Sequence, residues 1–292
     1  MARLPSRASR SRFRRGVLPV FGAWPRAGRS SVVVTSCVSF GQCSNRAARP
    51  GAGTLVRDGL ETALTSIAAA DKVGHRRSLA IAHHAAYHCL HALAEWDRAW
   101  EHVDAALRHA RELKARRFEG EALAYRAELH RVAGRQSEAL DDIGEALAIS
   151  RETGIAYMQP FYLGVLARAT DDEAVFETAL AEGEALLVAG AVSHNHFLFR
   201  RGAIDACIDR GLWDAAATHA AALEDYARRE PSPFSAFVVA RARALVSYGR
   251  GNRDLASLNE LQQLKEEGRR LGFLHALLAI DAALVGQANK AE

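Results

Sequence analysis

The chain has 292 residues, 49% of them hydrophobic and only 7% aromatic, which supplies ample apolar material for one large domain or two small ones. No apolar run approaches the roughly 20 residues that cross a bilayer, so no membrane partner is expected. The formal charge of +4 belongs to one end. Residues 1–57 hold eleven Arg, no Lys and no acid, and removing them leaves 27 basic against 34 acidic residues, a net of −7. A basic domain would suggest nucleic acid; a mildly acidic one does not, and no nucleic-acid partner is expected.

In chain order, residues 1–53 come first: Arg, Ser, Gly and Pro without period, four of the seven prolines included. Too little apolar surface is present to offset ordering entropy, so a disordered Arg/Ser-rich extension is expected. Two alternatives stay open. An acid-free Arg- and Ser-rich stretch has the composition of a mitochondrial transit peptide, and Arg14-Arg15 ahead of Val17 faintly resembles a twin-arginine export signal. The four cysteines (Cys37, Cys43, Cys89, Cys207) form no CxxC pair. A reducing, cytoplasmic setting suits them better than a disulfide framework.

Residues 54–292 form the second region, a helical-repeat domain. Alanine makes up a fifth of the chain, 58 residues, and no proline falls between Gly51 and Gln159. That composition favours helix over strand. From Leu55 onward apolar residues recur at helical spacing, interrupted every fifteen to twenty residues by Gly or a polar cluster. The spacing predicts helices over 54–73, 77–94, 97–115, 118–133, 136–152, 157–169, 172–189, 195–210, 213–229, 233–249, 253–270 and 273–286. Ser232 and Pro233 provide a cap and a first-turn proline for the tenth. Asp171, Asp172 and Glu173 suit a helix N-terminus.

These helices repeat. Trp96, Ala99, Val103, Ala106 and Leu107 align with Gln136, Ala139, Ile143, Ala146 and Leu147, forty residues on. Trp213 with Ala216 and Arg253 with Ala256 continue the series, and Ala174 marks a weaker copy. Gly134, Gly211 and Gly251 precede the motif and mark turns. Antiparallel helices need small residues where they touch, which assigns packing to Ala99, Ala106, Ala139, Ala146, Ala216 and Ala256. One hairpin cannot bury its apolar face alone, so neighbours must stack. The helix at 54–73 reads as a second helix without its partner, which suggests a stack cut at that end. The expected fold is all-α: a right-handed α-solenoid of about five antiparallel hairpins.

The series Ala-x3-Φ-x2-Ala-Leu (Φ apolar) preceded by Gly-x-Φ resembles the tetratricopeptide repeat (TPR), in a longer variety of about forty residues. The resemblance covers about residues 80–285. Ala191–Phe197, Leu223–Phe234 and Phe237–Ala244 look like the C-terminal TPR region of bacterial signalling proteins that carry a class III adenylate/guanylate cyclase and an AAA-type ATPase domain. That resemblance implies a non-catalytic interaction module, holding a protein or peptide segment or an adjoining ATPase or cyclase domain. It transfers no catalytic residue, because the cyclase's metal-binding aspartates and a Gly-x4-Gly-Lys-Ser/Thr phosphate loop are both missing.

Side chains that could carry chemistry are few. His84, His88 and His91 recur at i, i+4, i+7, one face of a helix, and correspond to the concave side of a TPR hairpin. Imidazoles so placed could bind a transition metal, an alternative kept beside the reading of a polar groove wall that charges in mild acid. Arg201 and Arg241, forty residues apart on the same predicted face, could pair with an acidic peptide or chain terminus. The alternative is ordinary pairing with a residue such as Asp205. The TPR clamp for a terminal carboxylate needs Lys and Asn where this chain has Ala124 and Glu128. Tyr157, Phe161, Tyr162, Phe197 and Phe199 read as core or as a recognition pocket. His194 and His196 alternate and do not share a face. No HExxH, GxSxG or helix-turn-helix pattern occurs, and no catalytic residue, metal or cofactor is assigned. Phe273, Leu274, Leu277, Leu278, Ile280, Leu284 and Val285 make the last helix too apolar for a solvated cap, which suggests a homodimer as a further alternative.

Overall fold

The computed structural model describes residues 55–154, 158–191 and 194–288. Expectations about residues 1–53, including Cys37 and Cys43, and about Tyr157 lie outside the described residues. Within them the chain forms α1 (Leu55–Lys72), α2 (Arg76–Ala92), α3 (Trp96–Glu112), α4 (Arg116–Val132), α5 (Gln136–Thr153) and α6 (Gln159–Ala169). Then follow α7 (Glu173–Val188), α8 (His194–Asp209), α9 (Trp213–Ala227), α10 (Pro233–Gly249) and α11 (Leu255–Leu271). A 3-10 turn (His275–Leu277) leads into α12 (Leu278–Ala288), dividing what the sequence reads as one helix. No strand occurs among the described residues.

One turn design joins most of these helices. At eight junctions an N–H reaches back five residues to a carbonyl, as from Arg135 to His130 and from Leu212 to Cys207. The residue before each donor is left-handed: Gly74, Ala94, Lys114, Gly134, Gly190, Gly211, Gly251 and Gly272. This closure satisfies orphan carbonyls at the helix end and favours glycine. Ala94 (φ 55°) and Lys114 (φ 52°) hold the same shape without it, so the sequence offers no turn residue at either place.

Successive helices lie against one another as hairpins α2–α3, α4–α5, α6–α7, α8–α9 and α10–α11, with α1 before them and α12 after. The even-numbered helices form an inner layer in which α2 touches α4, α4 touches α6, and so on to α12. The odd-numbered helices lie outside, each against its neighbours in sequence. This is an α-solenoid. The 3-10 turn contacts α2, so the end of the described chain returns to the start of the inner layer.

Alanines seat the hairpins. Ala99, Ala106, Ala139, Ala146 and Ala216 have no exposed surface, and Ala99, Ala139 and Ala216 are each the fourth residue of their helix. Trp96 and Trp213, at the first position, are half-buried against the core. Ala256 departs from the expected packing role: it is exposed. The physical reason is a cap. Asp254 accepts the Ser257 N–H at 2.8 Å, so α11 starts at Leu255 and the fourth position falls to Leu258. Asp172 does the same for α7 through Val175 N–H at 3.0 Å, exposing Ala174 and burying Phe176. An Asp side chain that satisfies an orphan N–H fixes the helix start more strongly than a weak repeat pattern does. Ser232 forms the expected cap, a reciprocal box with Ser235.

Candidate functional site

Two inner helices, α2 and α4, face each other in matched register. His84 Nδ1 lies 3.2 Å from Glu121 Oε2, and His88 Nε2 pairs with Tyr125 Oη at 3.0 Å. His91 Nε2 lies 3.8 Å from Glu128 Oε2. The partners 121, 125 and 128 repeat the spacing of 84, 88 and 91, because both helices present one stripe at i, i+4, i+7. The three rings therefore meet three separate residues and do not converge on a point. Among the described residues no three His, Cys, Asp or Glu side chains are grouped to hold a metal ion. Burial, then Arg201, pushes His88 down to about 3, and burial with Arg201 and Arg168 holds His91 well below the ordinary range. The expectation that this face charges in mild acid is thus corrected for His88 and His91, whose rings are held against protonation in the folded chain.

His91 also faces the other end of the stack. Its ring centroid is 4.4 Å from that of His275 and 5.5 Å from that of Trp96, and His275 meets Trp96 edge-on at 5.1 Å. Burial, followed by His91 and Arg168, holds His275 well below its usual range as well. This cluster of rings closes the inner layer where the 3-10 turn returns to α2.

Beside the closure lies a cavity of about 290 Å³, at the small end of ligand pockets. Arg131 of α4, Arg168 of α6, Arg201 of α8 and Arg241 of α10 line it, one from each of four successive inner helices. Arg201 Nη2 donates to Glu128 Oε1 at 2.9 Å, and Tyr87 Oη donates to Glu128 Oε2 at 2.9 Å. Arg241 Nη1 donates to Asp205 Oδ1 at 2.6 Å and Arg241 Nε to the Ala276 carbonyl at 2.6 Å. Burial alone would raise the Glu128 carboxyl, but Arg201 and Arg168 hold it below its ordinary value. Asp205 is likewise lowered against its burial, by Arg241 and Arg168. Arg131 is pushed down to about 10 by burial and by Arg168.

Of the residues singled out from sequence, the structure brings His91, Arg201, Arg241, Asp205, Phe273 and Leu278 to this cavity. His84 and His88 lie between α2 and α4. Arg241 pairs with Asp205, the ordinary alternative weighed for it. Phe161, Tyr162 and Phe199 are core, at 1%, 4% and 0% exposure. His196 stacks on Tyr226 at 3.7 Å. Cys89 and Cys207 are buried. Phe273, Leu277 and Ile280 turn into the core, while Leu278 and Val285 remain over half exposed.

Sequence reasoning missed Arg131, Arg168 and His275. Arg131 and Arg168 do not fall on the forty-residue interval: they stand 37 residues apart, and Arg168 stands 33 before Arg201. His275 acts across the closure, where no local pattern points to it. Comparison with known protein families, with curated proteins and with solved structures finds no match. No helix among the described residues is long and apolar enough to cross a membrane.

Proposed function

We propose that this chain is a non-catalytic, TPR-like scaffold that holds a protein segment, or a neighbouring domain, against its inner face. One observation carries the reading: four arginines from successive inner helices converge on one open cavity, beside the acids Glu128, Asp205 and Asp209. Stacked repeats present such a face as a continuous surface, and arginine forks favour carboxylates. The segment expected there is acidic. An ATPase or cyclase domain of the signalling proteins that the C-terminal half resembles is one source of such a segment.

An array of short peptides of varied charge tests this. Acid-rich peptides should be retained over neutral and basic ones, with a preference that falls as salt rises. Equal retention of all three classes would sink the reading. A second reading, a homodimer through α12, is favoured by Leu278 and Val285, exposed at 54% and 59% and seven residues apart on one helix face. Light scattering at high concentration checks it, and a strict monomer removes it.

A further inference from the structure

The charges around the cavity do not balance. Arg131, Arg168, Arg201 and Arg241 face Glu128, Asp205 and Asp209, with His91 and His275 neutral beside them, which leaves one positive charge over. The surplus has an address. The Arg168 side chain is only 8% exposed, yet its Nε and Nη1 have no hydrogen-bond partner. Its nearest carboxylate oxygens, on Glu128 and Asp205, stand at 3.9 and 3.7 Å, beyond hydrogen-bond reach. Arg131 Nε and Arg201 Nε are also buried and unpartnered. Buried guanidinium N–H groups without acceptors are costly, and an anionic oxygen is the partner that answers both the charge and the donors.

Part of the lining is apolar. Phe234, Phe237, Val238, Phe273 and Leu278 form that part, the two phenylalanines 234 and 273 meeting edge-on at 5.7 Å. A charged head and a greasy wall in one small enclosure select a ligand with both characters.

We infer that the cavity binds a small amphipathic monoanion, its carboxylate on Arg168 and its short apolar tail against Phe237 and Phe273. This does not rest on the scaffold reading, since no protein partner is needed to detect it. Ordered water is the competing occupant of the unpartnered donors, and it predicts no saturable binding of any organic acid.

The test is calorimetric titration of the full chain with octanoate, against acetate and inorganic phosphate (head without tail) and octanol (tail without head). Octanoate should bind once per chain and raise the melting temperature, at least tenfold more tightly than the other three. Arg168→Met, which keeps a side chain of similar length but removes the N–H donors, should weaken octanoate at least tenfold. Ala279→Phe, which fills the cavity and leaves every charge in place, should abolish binding. Should Arg168→Met fail to fold, Ala279→Phe carries the test alone. No saturable octanoate binding, equal binding of octanol or phosphate, or undiminished binding in folded Ala279→Phe each overturns the inference.

Discussion

The stretch α1–α5 and the stretch α6–α12 are built on one plan with different regularity. In the first, left-handed turn residues fall at 74, 94, 114 and 134, twenty apart, and alanines sit at the helix crossings. In the second, α6 is short, two Asp caps shift the starts of α7 and α11, and glycines replace alanines where helices come closest. A Cβ on Gly202 of α8 would stand 3.1 Å from the Gly164 backbone of α6. Strict repetition thus ends where the inner helices draw together, and the arginine cavity spans that change.

Glu128 is one side chain that joins the two stretches, since it comes from α4 and accepts from Arg201 of α8. Glu128→Ala would leave buried guanidinium groups uncompensated and should cost about 3–5 kcal/mol in urea unfolding. A loss below about 1 kcal/mol, the range of exposed pairs, would break the idea of a seam at this residue.

Acid should open the same region next. His88, His91 and His275 are all held below the unfolded histidine value of about 6.5. The unfolded chain therefore binds more protons as pH falls below about 7, and stability drops. The lowered carboxyls of Glu128 and Asp205 lose their contribution only below about pH 4, their unfolded range, so they do not mask the effect. Between pH 7 and pH 5 the loss should be about 2 kcal/mol or more, read as a lower melting temperature. His91→Phe should flatten the dependence; an unchanged slope would place the titrating groups elsewhere.

The smallest effect sharpens the contrast in one substitution. Gly144 of α5 is exposed with nothing near its missing Cβ, so Gly144→Ala should stabilise by up to about 1 kcal/mol. Gly202→Ala should instead destabilise by about 1–2 kcal/mol, because its neighbour is backbone and cannot swing aside. Chemical denaturation of both variants decides it, and equal signs would show that the two stretches do not differ in closeness of packing.

Much of the architecture was legible before any coordinates. Ala99, Ala139 and Ala216 announce the hairpins because a close helix crossing tolerates only a small side chain, a constraint visible as spacing. Ala256 misled for the opposite reason: a capping aspartate two residues away reset the helix start, and a local hydrogen bond outranked a faint repeat. Arg201 and Arg241 were findable by their interval. Arg131 and Arg168 were not, because their spacings of 37 and 33 residues depart from it.

The sequence by itself determined that this chain is helical, where its helices run, and that they pair in series, since each rests on contacts a few residues apart. Only the tertiary structure decided that His91 meets His275 and that four arginines share one enclosure. Those partners lie tens to hundreds of residues apart, and their approach depends on the accumulated rotation of every intervening helix, which no short-range periodicity records.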